Sequence, residues 1–291
     1  MRVFEGHIPF RGFKTWYRDV GPEDSIPLVC LHGGPGSTHH YFQPLEELAD
    51  GGRRLVVYDQ LGCGNSDRPD DPELWTVDLF LDELRALRDA LDLDRIHLLG
   101  TSWGSMLAIE YALTQPEGLV SLGLNSPPTA TETWEAEALR LRDELPEHHR
   151  RALAEHEAAG TTDHPGYVAA EDEFWRRHIC RVDPPPDFVQ RGRTERGKQV
   201  YATLWGVAEW NANGRLRDWD VRDRLREIQV PTLVTSGRYD ECTPALAEDA
   251  ERGIGGAERV LFESSSHMAF VEEPERFREV LTDFLHRAEA G

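Results

Sequence analysis

Six short stretches of the chain each centre on apolar residues that do not alternate strictly with polar ones: 27–33 (PLVCLHG), 53–60 (RRLVVYDQ), 95–102 (RIHLLGTS), 118–126 (GLVSLGLNS), 231–237 (PTLVTSG) and 259–265 (RVLFESS). A strand with one face in water alternates; a continuous apolar run predicts a strand covered on both faces. Residues 2–8 and 12–19 do alternate, around a break at Pro9–Gly12, and predict an antiparallel pair. Helical periods fall at 76–92, 103–115, 243–252 and 274–288. Strand alternating with helix predicts a mostly parallel eight-stranded sheet carrying helices on both faces, an α/β architecture.

The rhythm stops between residues 128 and 222. This stretch is rich in Glu, Arg, His, Ala and Trp and has no convincing strand. Helical periods appear near 131–144, 146–158, 167–179 and 195–210, with DPPPD (183–187) as an extended hinge. The expected organisation is a core domain of residues 1–127 and 223–291, with an inserted helical cap domain at 128–222 over the carboxyl edge of the sheet.

Composition narrows the partners. The formal charge of −21 argues against nucleic acid and anionic membranes, which need basic patches. A hydrophobic fraction of 39% supports a sizeable core. Cys30, Cys63, Cys180 and Cys242 are too dispersed for a disulfide scaffold or a zinc site. The first residues lack a basic segment followed by an apolar one, and no apolar run approaches a membrane span. A soluble cytoplasmic protein is expected.

The chemistry-bearing motif is GTSWGS. Gly100-Thr101-Ser102-Trp103-Gly104 reads G-x-S-x-G, with a predicted strand before it and a helix after it. That context is a nucleophile elbow, a turn so tight that its flanking positions must be small. A serine needs a base held in one tautomer, and in such sites the acid and then the histidine follow in chain order. Asp240 follows the penultimate strand and His267 the last one. Both fall at strand carboxyl ends, where open parallel sheets place their sites. HGGPG (32–36) follows the strand at 27–33, and a glycine-rich turn there can aim backbone N–H groups at an oxyanion. The expected donors are the Gly34 and Trp103 amides. His39–His40 and His148–His149 read as solvated residues without metal spacing. Cys63 carries no sign of activation; Trp134, Phe174, Trp175, Trp205 and Trp210 are candidates to line the pocket, although helical spacing more often marks core.

HGGPG, YDQLGCGNSD (58–67), GTSWGS and SGRYDECTP together resemble the proline iminopeptidase family of α/β-hydrolases, close to the tricorn-interacting aminopeptidases. The likeness runs from the strand at 27–33 to the final helix. It implies the α/β-hydrolase fold and a serine aminopeptidase that releases N-terminal proline or a small apolar residue from short peptides or amides. No cofactor or metal is implied. VYATLWGVAEWN (200–211) resembles the segment where that family keeps a substrate-binding glutamate. The glutamate stands here as Glu209, but the usual neighbouring proline and phenylalanine are Val207 and Trp210. The resemblance implies that Glu209 and Glu241 hold the substrate's free ammonium, with a further hydroxyl from Tyr201. Asp240, beside Glu241, would instead face His267.

Statistics of an acidic chain alone would leave Glu209 and Glu241 as solvated residues. A relative that cleaves an aminoacyl group from a small-molecule amide would carry the same triad. A carboxylesterase of this fold would leave both glutamates idle. An epoxide hydrolase or dehalogenase would place aspartate, not Ser102, at the elbow. A binder without catalysis has no use for the triad. Preferred N-terminal residue and oligomeric state are not encoded in any motif.

Overall fold

The computed structural model describes residues 2–290. Eight strands form one sheet: β1 (Val3–Phe10), β2 (Phe13–Val20), β3 (Leu28–Leu31), β4 (Leu55–Tyr58), β5 (Ile96–Thr101), β6 (Leu119–Asn125), β7 (Thr232–Gly237) and β8 (Glu258–Phe262). Their order is β1-β2-β4-β3-β5-β6-β7-β8. β1 and β2 pair antiparallel, as do β2 and β4; every other pairing is parallel. The hairpin turn is tighter than the alternation predicted. Pro9 and Phe10 stay in β1, and only Arg11 and Gly12 lie between the strands. Pro9 is tolerated because β1 is an edge strand, where a missing N–H breaks no ladder.

The continuous apolar runs do cover two faces. In β3, Val29 and Leu31 point to one cluster while Leu28 and Cys30 point to the other. In β4, Val56 and Tyr58 are likewise separated from Leu55 and Val57. The first face packs against α1 (Val77–Ala90), α2 (Trp103–Leu113) and α8 (Pro244–Gly253). The second packs against a 3-10 segment (His39–Ala49), α9 (Ala269–Glu272) and α10 (Pro274–Ala290). α1 starts where Thr76 Oγ1 accepts the Leu79 N–H at 3.1 Å, with Asp78 in its first turn and Arg88 in its last. Each choice matches the helix end it occupies.

Between β6 and β7 lie α3 (Thr131–Asp143), α4 (Glu147–Ala159), α5 (Pro165–His178), α6 (Asp187–Thr194) and α7 (Lys198–Leu204), and no sheet strand. The periods near 131–144, 146–158 and 167–179 correspond to α3, α4 and α5. The helix expected over 195–210 is shorter. α7 ends at Leu204, and Gly206 then takes φ +141°, so Glu209 stands in a turn and not on a helix face. α6 lies outside the expected periods: its eight residues make only about two turns, too short a window for a period to stand out. Among the described residues, no helix is long and apolar enough to cross a membrane.

Candidate active site

The parallel strands end along one edge, and their following loops carry the predicted residues. Ser102 sits between β5 and α2 with φ +56° and ψ −123°, a strained backbone for a residue with a side chain. The turn closes only because its neighbours are glycine. A Cβ on Gly104 would lie 2.0 Å from the Leu31 carbonyl oxygen, and one on Gly100 would lie 2.2 Å from the Gly104 oxygen.

His267 Nδ1 lies 2.7 Å from Asp240 Oδ1. The same oxygen accepts the Cys242 N–H at 2.8 Å, while Oδ2 accepts from the Ser126 hydroxyl at 2.5 Å. Asp240 is thus locked from behind, and its free direction is toward the imidazole. Asn125 adds a second layer. Its amide donates to Thr101 Oγ1 at 2.8 Å and to the His267 carbonyl at 3.1 Å, tying the serine and histidine loops together. Sequence reasoning missed Asn125 and Ser126; their position at the carboxyl end of β6 was the available signal. The last turn of α5 also reaches the site. The His178 carbonyl accepts the N–H groups of both Glu241 and His267, each at 3.2 Å. Ser102 and His267 share one cavity but form no hydrogen bond with each other here, a looseness common in unliganded sites.

Among the described residues, the Gly34 and Trp103 amides donate to no protein acceptor. Their loops are held by Tyr41, Gln60 and His32. The Gly33 N–H donates to the Tyr41 hydroxyl. Gln60 Nε2 donates to the His32 carbonyl at 3.0 Å, and Gln60 Oε1 accepts the Trp103 indole N–H at 2.9 Å. Gln60 therefore bridges the glycine-rich loop and the elbow. Burial drives the His32 imidazole down to about 4, so it is neutral, and its Nε2 accepts the Gln60 N–H at 3.0 Å. Burial pushes the Cys63 thiol well above its usual range, which removes it as a nucleophile.

Glu209, Glu241 and Tyr201 line the cavity over Ser102. Glu241 is 2% exposed, and its Oε2 has no hydrogen-bond partner. Its Oε1 lies 3.8 Å from His267 Nε2. Burial, then the neighbouring charges of Glu209 and Asp240, raise its carboxyl well above the ordinary range. Burial raises Glu209 as well. The Tyr201 hydroxyl donates to Glu209 Oε1 at 2.8 Å, so it orients that carboxylate. Two raised acids facing one cavity, one with an orphaned oxygen, form a site short of a cation.

Three of the candidate tryptophans form walls. Trp175 lines the main cavity, while Trp134 and Trp205, with Met106 and Pro128, line a narrow recess that also touches Ser102 and Glu209. Phe174 and Trp210 do pack inside, with ring centroids 5.0 Å apart. The solvated reading of His39–His40 is corrected: His40 is 5% exposed, and His39 stacks on Trp16 and reaches Asp59 Oδ1 at 2.8 Å. No cluster of metal-ligating side chains is found among the described residues.

Residues 26–274 match the alpha/beta hydrolase fold family. The sequence is 42% identical over 292 residues to the proline iminopeptidase of Clostridium botulinum, covering 99% of each chain. The chain belongs to the proline iminopeptidase family of α/β-hydrolases. It is 43% identical over 290 residues to the Lactobacillus acidophilus proline iminopeptidase, covering 98% of this chain and 99% of that one. Among solved structures, the proline iminopeptidase of Mycobacterium smegmatis matches with a TM-score of 0.91 and 40% identity over 99% of each chain. VinJ matches with a TM-score of 0.95 and 40% identity, covering 98% of this chain and 99% of that one.

Proposed function

We propose that this chain is a serine aminopeptidase that releases N-terminal proline, or a small apolar residue, from short peptides and amides. The observation that carries the reading is the pair of buried carboxylates, Glu209 and Glu241, in the cavity that holds Ser102 and His267. A protonated prolyl nitrogen has two N–H donors, which two carboxylates satisfy. The Trp134 and Trp205 rings beside them supply an apolar wall for the proline ring.

Ser102 Oγ attacks the carbonyl carbon of the first residue while its proton passes to His267 Nε2. Asp240 keeps the imidazole in the tautomer with Nδ1 protonated and stabilises the imidazolium. The oxyanion is held by the Gly34 and Trp103 N–H groups, each such donor being worth about 2.7–4 kcal/mol of barrier. His267 then protonates the leaving nitrogen as the C–N bond breaks, and water attacks the acyl ester by the reverse route. Residues 128–222 act as a cap that limits access to short chains, and the His178 carbonyl couples that cap to the two catalytic loops. A blocked amine would leave both carboxylates without a partner, which is the basis of rejection.

The test is prolyl arylamide against its N-acetyl form. Strong preference for the free amine is expected; equal turnover of the two would sink amine recognition.

A further inference from the structure

The cavity that holds Glu209 and Glu241 is also lined by arginine. Three arginines belong to the segment that leads from α6 into α7, and two of them have acid partners. Arg191 reaches Glu195 at 4.0 Å, and Arg193 reaches Asp172 at 2.8 Å while lying over the Trp175 ring. Arg196 lines the same cavity as Ser102, Glu209 and Glu241, and among the described residues it forms no ion pair within 4.0 Å, although its charge partly offsets the burial that raises the Glu171 and Glu209 carboxyls. Its guanidinium sits over the Tyr201 ring, 5.8 Å from the centroid, and the hydroxyl of that ring donates to Glu209. Arg196 is exposed, and it also borders the two grooves that open outward from the mouth. One tyrosine thus connects the ammonium-holding acids to an exposed cation that no ion pair within 4.0 Å ties down.

We infer that Arg196 is a carboxylate subsite, and that the preferred substrates are di- and tripeptides with a free C-terminus, held as zwitterions between Glu209/Glu241 and Arg196. This rests on the aminopeptidase reading and names its substrate class. The lengths agree: two to three extended residues span about 7–11 Å, the scale of a single cavity. The chemistry also agrees, since a planar guanidinium matches a carboxylate with two parallel hydrogen bonds. Arg196 approaches the cavity from the solvent side, so it selects for charge at the far end of the peptide and leaves the scissile carbonyl to Ser102. A long peptide or a C-terminal amide offers nothing for it to hold.

The experiment compares kcat/KM for prolyl-glycine and prolyl-glycinamide on wild type, Arg196→Gln and Arg196→Lys, with active sites counted by a fluorophosphonate probe. Wild type is expected to favour the free acid by about tenfold or more, carried mainly in KM. Arg196→Gln should bring the ratio to about one, with the loss falling on the free acid, and Arg196→Lys should restore part of it. A wild-type ratio near one, or a ratio that survives Arg196→Gln, overturns the subsite while leaving the aminopeptidase standing. Failure to cleave either dipeptide refutes the aminopeptidase reading and the subsite with it.

Discussion

Replacing Glu241 by glutamine keeps the shape of the side chain and removes one of the two charges proposed to face the substrate amine. Glu241 is 2% exposed with an unpartnered Oε2, so an ammonium bound there exchanges water for a charged hydrogen bond in a dry site. Such bonds contribute about 1.5–3 kcal/mol. With Glu209 and Tyr201 left in place, kcat/KM for prolyl arylamide should fall about 10- to 150-fold. A neutral ester with no amine has nothing to lose, so the fall should be confined to free-amine substrates. The two substrates must be assayed side by side, because Glu241 Oε1 also lies 3.8 Å from His267 Nε2. An equal fall for both would mean that Glu241 acts through the imidazole and not through the amine. No fall for either would refute a role in binding. Stability should move the other way. Burial holds the native Glu241 carboxyl above its ordinary value of 4.5, so the native state loses stability as pH rises past that value. The glutamine variant escapes this loss and should melt higher than wild type at pH 8.

Ser102→Ala should abolish labelling by a fluorophosphonate and lower kcat by about 10⁵–10⁶-fold, measured on prolyl arylamide, with an unchanged melting temperature. Glu83 is fully buried, accepts the Leu61 N–H at 2.9 Å, and is pushed up to about 8 by desolvation. Its proton is bound more tightly in the native state, so wild type should lose stability relative to Glu83→Gln between about pH 4.5 and pH 8, seen as diverging melting curves. Gly104→Ala would place a Cβ 2.0 Å from the Leu31 oxygen, and should yield insoluble protein or a sharply lowered melting temperature, even though alanine favours helices.

The runs PLVCL, RRLVVY and RIHLLG declare buried strands because no other short element needs apolar residues on both sides. Their spacing by helical periods declares a parallel sheet. The convergence of Ser102, Asp240 and His267 on one sheet edge was legible for the same reason: each lies in the loop after such a run, and strand carboxyl ends converge whatever the details of packing. Glu209 and Glu241 were legible only through resemblance, since an exposed acid and a buried one are the same letter in a chain with 53 of them. Other features depended on contacts between residues distant in the chain. Gln60 joins His32 to Trp103, Ser126 backs Asp240, and the His178 carbonyl reaches both catalytic loops. The end of α7 at Leu204 belongs with them, because leaving the helix lets Glu209 turn back to the Tyr201 hydroxyl. Local order along the chain was thus written in hydrophobic spacing, which every residue reports through its own chemistry. The charge balance of the cavity was not, because burial and partnership are properties of pairs that meet only after the chain has folded.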